Sequence, residues 1–239
     1  MAEEEISKHT KKIYKTWFNK ELSIWHKLSE FLIEIIIIVF AVTISIWFHN
    51  LSEHKHQQED VKQFLLGLKT DLTQDIQEIK KDMESFRNQH TIFSYIGGLQ
   101  KNQLPNKDTL KKYRNWLFNS TALNPNDGRF QGFKSSGKIG TIENKDLQND
   151  IMDLYEEDIP MLLASTTAYN NTKLQFLEFL IKNGKRITDS TENTIKILNE
   201  DEAYNLSRAL STPDQTLERY QLCMELMNKI IGEIDKEYN

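Results

Sequence analysis

The sequence predicts an all-α protein in which one N-terminal transmembrane helix continues into an extracytoplasmic helical bundle of about four to five helices. Three observations carry this reading. An apolar run, FLIEIIIIVFAVTISIWF, extends from Phe31 to Phe48; later segments place apolar residues at steps of three and four; and proline is confined to positions 105, 125, 160 and 213. The expected division is a cytoplasmic segment 1–30, a transmembrane helix 31–49 and a periplasmic helical domain 50–239.

The run carries one charge, Glu34, and meets the lower length limit for a spanning helix. A cleaved signal peptide fits poorly, because the preceding residues are too many and too acidic for an n-region and no A-x-A site follows. Trp25 and Trp47 bracket the run. At 1.5 Å per helical residue they lie roughly 33 Å apart, close to the hydrocarbon thickness. Lys8, Lys11, Lys12, Lys15, Lys20 and Lys27 precede the run, whereas Lys55 and Lys62 follow it, so the N-terminus is expected on the cytoplasmic side of a bacterial inner membrane. Glu34 sits about one turn inside that edge, where it can meet headgroup water and the positive end of the helix dipole. A protonatable carboxylate among packed transmembrane helices is the alternative.

Beyond the run, Val61, Leu65, Leu68, Leu72, Ile76, Ile79, Met83, Phe86 and Phe93 form one helical stripe, with His90 in the remaining slot. Successive steps of four depart from strict heptads and favour a packed bundle over a dimeric coiled coil. Gly97 and Gly98 end the stripe, and Asp108 or Thr109 is the expected cap of a helix TLKKYRNWLF. The Asn-, Ser-, Gly- and Pro-rich stretch 119–144 reads as a loop with short extended pieces. Asn144 or Asp146 then caps a helix bearing Leu147, Ile151, Leu154 and Tyr155, which Pro160 breaks or kinks. The next helix carries Leu163, Tyr169, Leu174, Leu177, Phe179 and Leu180 and closes at Gly184. ITDSTENTIKILNEDEA reads as polar connection with at most one short helix. Thr212 before Pro213 opens the last helix, whose Leu217, Tyr220, Met224, Met227, Ile231 and Ile234 are expected to pack on the first stripe and return the C-terminus toward the membrane.

Composition excludes several functions. The net charge of −5, with lysines and arginines dispersed, leaves no electrostatic footprint for nucleic acid. Cys223 is the only cysteine, so no internal disulfide or cysteine-based zinc site forms, and a core role is expected for it. GFKSSGKI, from Gly132 to Ile139, imitates a phosphate-binding loop but places Ile139 where magnesium binding needs Ser or Thr, so no nucleotide is expected. His49, His54, Glu53, His56 and Asp60 could be drawn as a metal site, but solvated juxtamembrane residues are the expected reading, and no metal or cofactor is assigned. Glu78, Asp82, Glu156, Glu157 and Asp158 lie among Lys or Gln on expected exposed faces and form no catalytic pair.

The order SEFLIEIIIIVFAVTISIWF, LLGLKTDLTQDIQEI and FKSSGKIGTIENKDLQNDIMDLY resembles a bacterial family of single-pass membrane proteins of unknown function, common in Bacteroidetes. The resemblance implies an envelope location and supplies no activity. Family members usually carry Gly and Leu where this span has its Ile run. The candidate functional residues are therefore Glu34 and, from the family's loop signature, Lys134, Ser135, Ser136, Gly137 and Asn144. For the loop residues, tying down backbone carbonyls and amides is favoured over forming a binding surface. The expected function is a non-enzymatic, membrane-anchored periplasmic interaction or scaffold protein, its partners the lipid bilayer and other envelope proteins or its own copies. The alternatives are a subunit of an ion-driven or signalling inner-membrane complex using Glu34 and, more weakly, an envelope hydrolase using the 119–144 stretch.

Overall fold

The structure, a computed structural model, describes residues 24–185 and 190–238 together with Ser7, Lys8, Lys11 and Tyr14. Lys12, Lys15, Lys20 and the side chain of Lys27, on which the orientation argument draws, lie outside the described residues, as do residues 186–189 of the polar connection. The described residues are helical, with no strand among them. In chain order the helices are α1 (Ile24–Gly97), α2 (Lys107–Phe118), α3 (Gly128–Ser135), α4 (Lys145–Asp153), α5 (Ile159–Asn183), α6 (Ser190–Ile197), α7 (Asp201–Leu210) and α8 (Asp214–Tyr238). The chain divides into two compact units, Met1–Asp60 and Val61–Asn239.

The first unit holds the one described helical stretch long and apolar enough to cross a membrane. Only 6% of its apolar window is buried, unlike the core helix of a soluble protein. Ile33, Ile36, Val39, Phe40, Ile46, Trp47 and Phe48 are all exposed. The hydroxyls of Thr43 and Ser45 donate back to the carbonyls of Val39 and Ala41 at 2.7 and 2.8 Å, so both are satisfied within their own helix.

The second unit has its own core, built on the part of α1 from Val61 onward. Helix α5 runs parallel to α1, because their contacts rise together: Phe86 meets Tyr169, Gln89 meets Lys173 and Phe93 meets Phe176. Helix α8 runs antiparallel to α1, as Asp82 meets Tyr220 while Lys69 meets Asp235. The expected return of the last helix along the first is therefore the observed pairing within this unit. Helix α7 packs on α5, and α4 is tied to α8 by the Asp150–Lys229 pair at 2.6 Å.

Several local expectations need correction. Gln89, not His90, fills the interior slot of the first stripe; Gln89 is fully buried, whereas His90 is exposed and its Nδ1 donates to the Ser211 carbonyl at 2.6 Å. Asn106, rather than Asp108 or Thr109, caps α2, its Oδ1 accepting from the amides of both. The 119–144 stretch contains α3 and a 3₁₀ turn, Ile139–Thr141, where only a loop was expected. Pro160 does not end the helical path: a π turn, Leu154–Asp158, joins α4 to α5, and the Ile159 amide bonds the Leu154 carbonyl five residues back. Proline has no amide hydrogen for the usual bond and its ring crowds the carbonyl four residues earlier, so the wider turn accommodates it. The polar connection after Gly184 holds two helices, α6 and α7. The interior residues of α7 are Ala203, Ser207 and Leu210, too small or polar to produce a hydrophobic stripe.

Candidate functional site

Residues 119–127, between α2 and α3, form an irregular strap that descends α1 and is fastened at nearly every turn. Thr121 Oγ1 pairs with Ser85 Oγ and also accepts from Gln89 Nε2 at 3.2 Å. Lower down, the Asn124 amide donates to Glu78 at 3.0 Å. Asn126 donates to Asp75 from its backbone at 3.1 Å and from Nδ2 at 2.6 Å. Below the strap, Arg129 Nε reaches Asp71 at 2.7 Å, its guanidinium lying across Gly67, where an added Cβ would sit 2.4 Å from Arg129 Cζ. Glu78 and Asp82, expected on exposed faces, are half-buried and hydrogen-bonded, Asp82 accepting from the Tyr220 hydroxyl at 3.1 Å. Polar residues one turn apart on α1 thus supply acceptors for a segment with no internal backbone ladder.

The top of the strap is held by Lys173, which sequence reasoning missed. Its side chain is fully buried on α5. The ammonium donates to Gln89 Oε1 at 2.7 Å, to the Trp116 carbonyl at 2.8 Å and to the Asn119 carbonyl, and it lies 5.8 Å from the Phe93 ring centroid. The two carbonyls belong to the C-terminal end of α2, where unpaired acceptors and the helix dipole favour a cation. Beside it, Asn170 Nδ2 donates to the Thr121 carbonyl at 2.9 Å. Every acceptor of the ammonium is uncharged, so burial dominates and pulls the lysine down to about 8. Burial likewise raises Asp75 above the usual carboxylate range, against the two Asn126 hydrogen bonds, with Glu78 and Asp71 adding to the rise.

Residues Lys134 to Gly137 close α3. Gly137 has φ +75, and its amide bonds the Lys134 carbonyl at 2.9 Å while the Lys138 amide bonds the Phe133 carbonyl at 3.3 Å. This is the Schellman arrangement, and the left-handed residue at its centre calls for glycine. Ser135 and Ser136 donate their hydroxyls to the carbonyls of Gly132 and Phe133 at 3.1 and 2.7 Å. Lys134 pairs with Glu156 at 2.7 Å and lies 5.9 Å from the Phe130 ring centroid. Asn144 accepts from the Leu147 amide at 3.1 Å and caps α4. The five residues therefore end one helix and start the next. The likeness of GFKSSGKI to a phosphate-binding loop fails on geometry, since its Lys and Ser residues occupy a helix C-terminus, where carbonyls rather than amides are free.

Glu34 is apart from this arrangement, in the first unit. It is 4% exposed, although Ile33 and Ile35 on either side are exposed. His49, Glu53, His54, His56 and Asp60 are all exposed, and no group of three potential metal ligands converges among the described residues. Cys223 is buried in the core, and burial foremost, with Asp158 adding, pushes its thiol up to about 12.

Residues 34–201 match the model described as Family of unknown function (DUF6090). The chain belongs to that family. In this DUF6090 protein the matched region contains Glu34, the strap, the α3 cap and Lys173, and it ends before α8. No curated protein and no solved structure matches the chain.

Proposed function

We propose that this DUF6090 protein is a non-enzymatic, single-pass inner-membrane protein of bacteria whose second unit works as a periplasmic interaction or scaffold module. The observation that carries the reading is the pairing of an exposed apolar helix, from Phe31 through Leu51, with a separate unit that has its own core. The hydroxyls of Ser135 and Ser136 are committed to backbone carbonyls, which favours a structural role over an envelope hydrolase. Partners are other envelope proteins or further copies of the chain.

Single cysteines at Ser7 and Ser135 in intact cells test this reading, with native Cys223 buried and unreactive. A membrane-impermeant maleimide is expected to label Ser135→Cys in cells with a permeable outer membrane and Ser7→Cys only after lysis. The reverse pattern would invert the topology, and recovery of the chain in the soluble fraction would refute the anchor. Crosslinking in native membranes then identifies the partner.

A second reading makes the protein a subunit of an ion-driven or signalling complex, with Glu34 responding to protonation or packing. Its near-complete withdrawal from solvent on an exposed helix favours this role. Under this reading Glu34→Gln impairs complex recovery from native membranes; unchanged recovery and phenotype remove it.

A further inference from the structure

We propose that the cleft between the end of α1 and helix α7 binds a short peptide with free termini. The peptide's carboxylate is held by Arg208 and Lys101, and its ammonium by Asp201. The site lies within the second unit and does not depend on the anchoring reading.

The cleft has a volume of about 530 Å³, inside the range of roughly 300–1,000 Å³ typical of small-molecule sites. One wall is the turn that ends α1, with Gly97 and Lys101, and the other is α7, with Asp201, Tyr204 and Arg208. Ile96 and Leu198 supply its apolar part.

Asp201, Tyr204 and Arg208 follow one another at steps of three and four, so they share one face of α7. At 1.5 Å per helical residue, the positions of the carboxylate and the guanidinium lie roughly 10 Å apart along the axis. At that separation the two charges do not pair, and among the described residues neither finds another partner of opposite charge. Arg208 Nη1 donates instead to Tyr204 Oη at 3.4 Å, and the guanidinium lies 5.8 Å from the centroid of that ring. The signs also suit the α7 dipole, acid in the first turn and base in the last, but that role needs no cleft. An extended chain rises by up to about 3.3–3.6 Å per residue, so a tripeptide spans the same roughly 10 Å from ammonium to carboxylate. Its middle side chain then meets Ile96 and Leu198.

Glycine at position 97 is explained by the same cleft. The left-handed glycine among the described residues is Gly137, so backbone angle does not require glycine at 97. The approach of α7 requires it: a Cβ there would sit 3.0 Å from Arg208 Cγ and 3.1 Å from the Arg208 backbone nitrogen. The missing side chain lets α7 close on the end of α1 and lay Arg208 along the wall. Lys101, exposed and without an acidic partner among the described residues, adds a second positive charge from the facing wall. The carbonyls of Tyr95 and Ile96 accept from the amides of Gly98 and Leu99, which leaves Asp201 as the anionic group of the cleft.

Equilibrium dialysis of radiolabelled Ala-Leu-Ala against the full chain in nanodiscs, with empty nanodiscs subtracted, tests the site. Saturable binding of one peptide per chain is expected. Arg208→Gln should weaken it at least about tenfold, and so should amidating the peptide's carboxylate, because each removes a charge-assisted hydrogen bond. The two losses should not add, since they remove the same contact. Asp201→Asn and acetylation of the peptide's amine form a second such pair. Both side chains are exposed, so the variants should keep the circular dichroism of the wild type. No saturable binding below about 1 mM, additive losses within either pair, or undiminished binding of the doubly blocked peptide would each overturn the proposal.

Discussion

At the scale of single residues, the determining contacts are polar groups with defined partners. Truncating Lys173 to Met leaves Gln89 Oε1 and the carbonyls of Trp116 and Asn119 without their donor, but also removes a buried charge. The two effects oppose, and we expect a net loss of about 1–3 kcal/mol at pH 7 in chemical denaturation. The wild type should gain stability between about pH 8 and 10.5, because the unfolded chain holds the proton that the folded chain has released. The deficit of Lys173→Met should therefore widen with pH, and a constant deficit would contradict the assignment. Gly137→Ala places a Cβ at φ +75 and should cost about 1 kcal/mol, read as a lowered Tm. Ser135, Ser136, Gly137 and Asn144 were legible as loop-fixing groups, because Ser, Asn and Gly carry capping chemistry in their identities. Lys173 was illegible, since lysine is ordinarily an exposed residue and nothing local marks this one as buried.

At the scale of elements, the interior face of α5 shows where periodicity succeeds and fails. Its buried positions are Ile159, Leu162, Thr166, Tyr169, Lys173, Phe176, Phe179 and Leu180, a regular alternation interrupted by two polar residues. Reading only apolar residues instead selected Leu174, which is 53% exposed. Phe176→Ala should destabilise by about 3–5 kcal/mol, whereas Ile181→Glu, at a position 78% exposed, should shift stability by less than about 0.5 kcal/mol. Equal effects in a thermal melt would refute this face. The apolar stripe of α1 was read correctly and that of α8 in part; α8 begins at Asp214, and Thr212 does not cap it, its hydroxyl donating back to the Ala209 carbonyl at 3.4 Å. In α8 the buried line runs through Thr216, Tyr220, Cys223, Met227, Ile230 and Ile234, with Leu217, Met224 and Ile231 beside it. Asn144→Ala removes the α4 cap and should cost about 1 kcal/mol.

For the molecule as a whole, the two units predict different behaviour in water. The chain should need detergent for extraction, while residues 61–239, which hold the core, should be soluble and helical by circular dichroism. Aggregation of that fragment would mean that its surface requires the anchor or a partner. The sequence by itself determined the all-α class, the apolar segment, the C-terminal ends of α1, α2 and α5, the start of α4 and the pairing of the last helix with the first, because hydropathy, periodicity and capping are encoded within a few adjacent residues. Tertiary structure alone decided the course of the strap, the interior face of α5 and the surroundings of Lys173. Those rest on hydrogen bonds between residues 32 to 84 positions apart, whose partners no local pattern specifies.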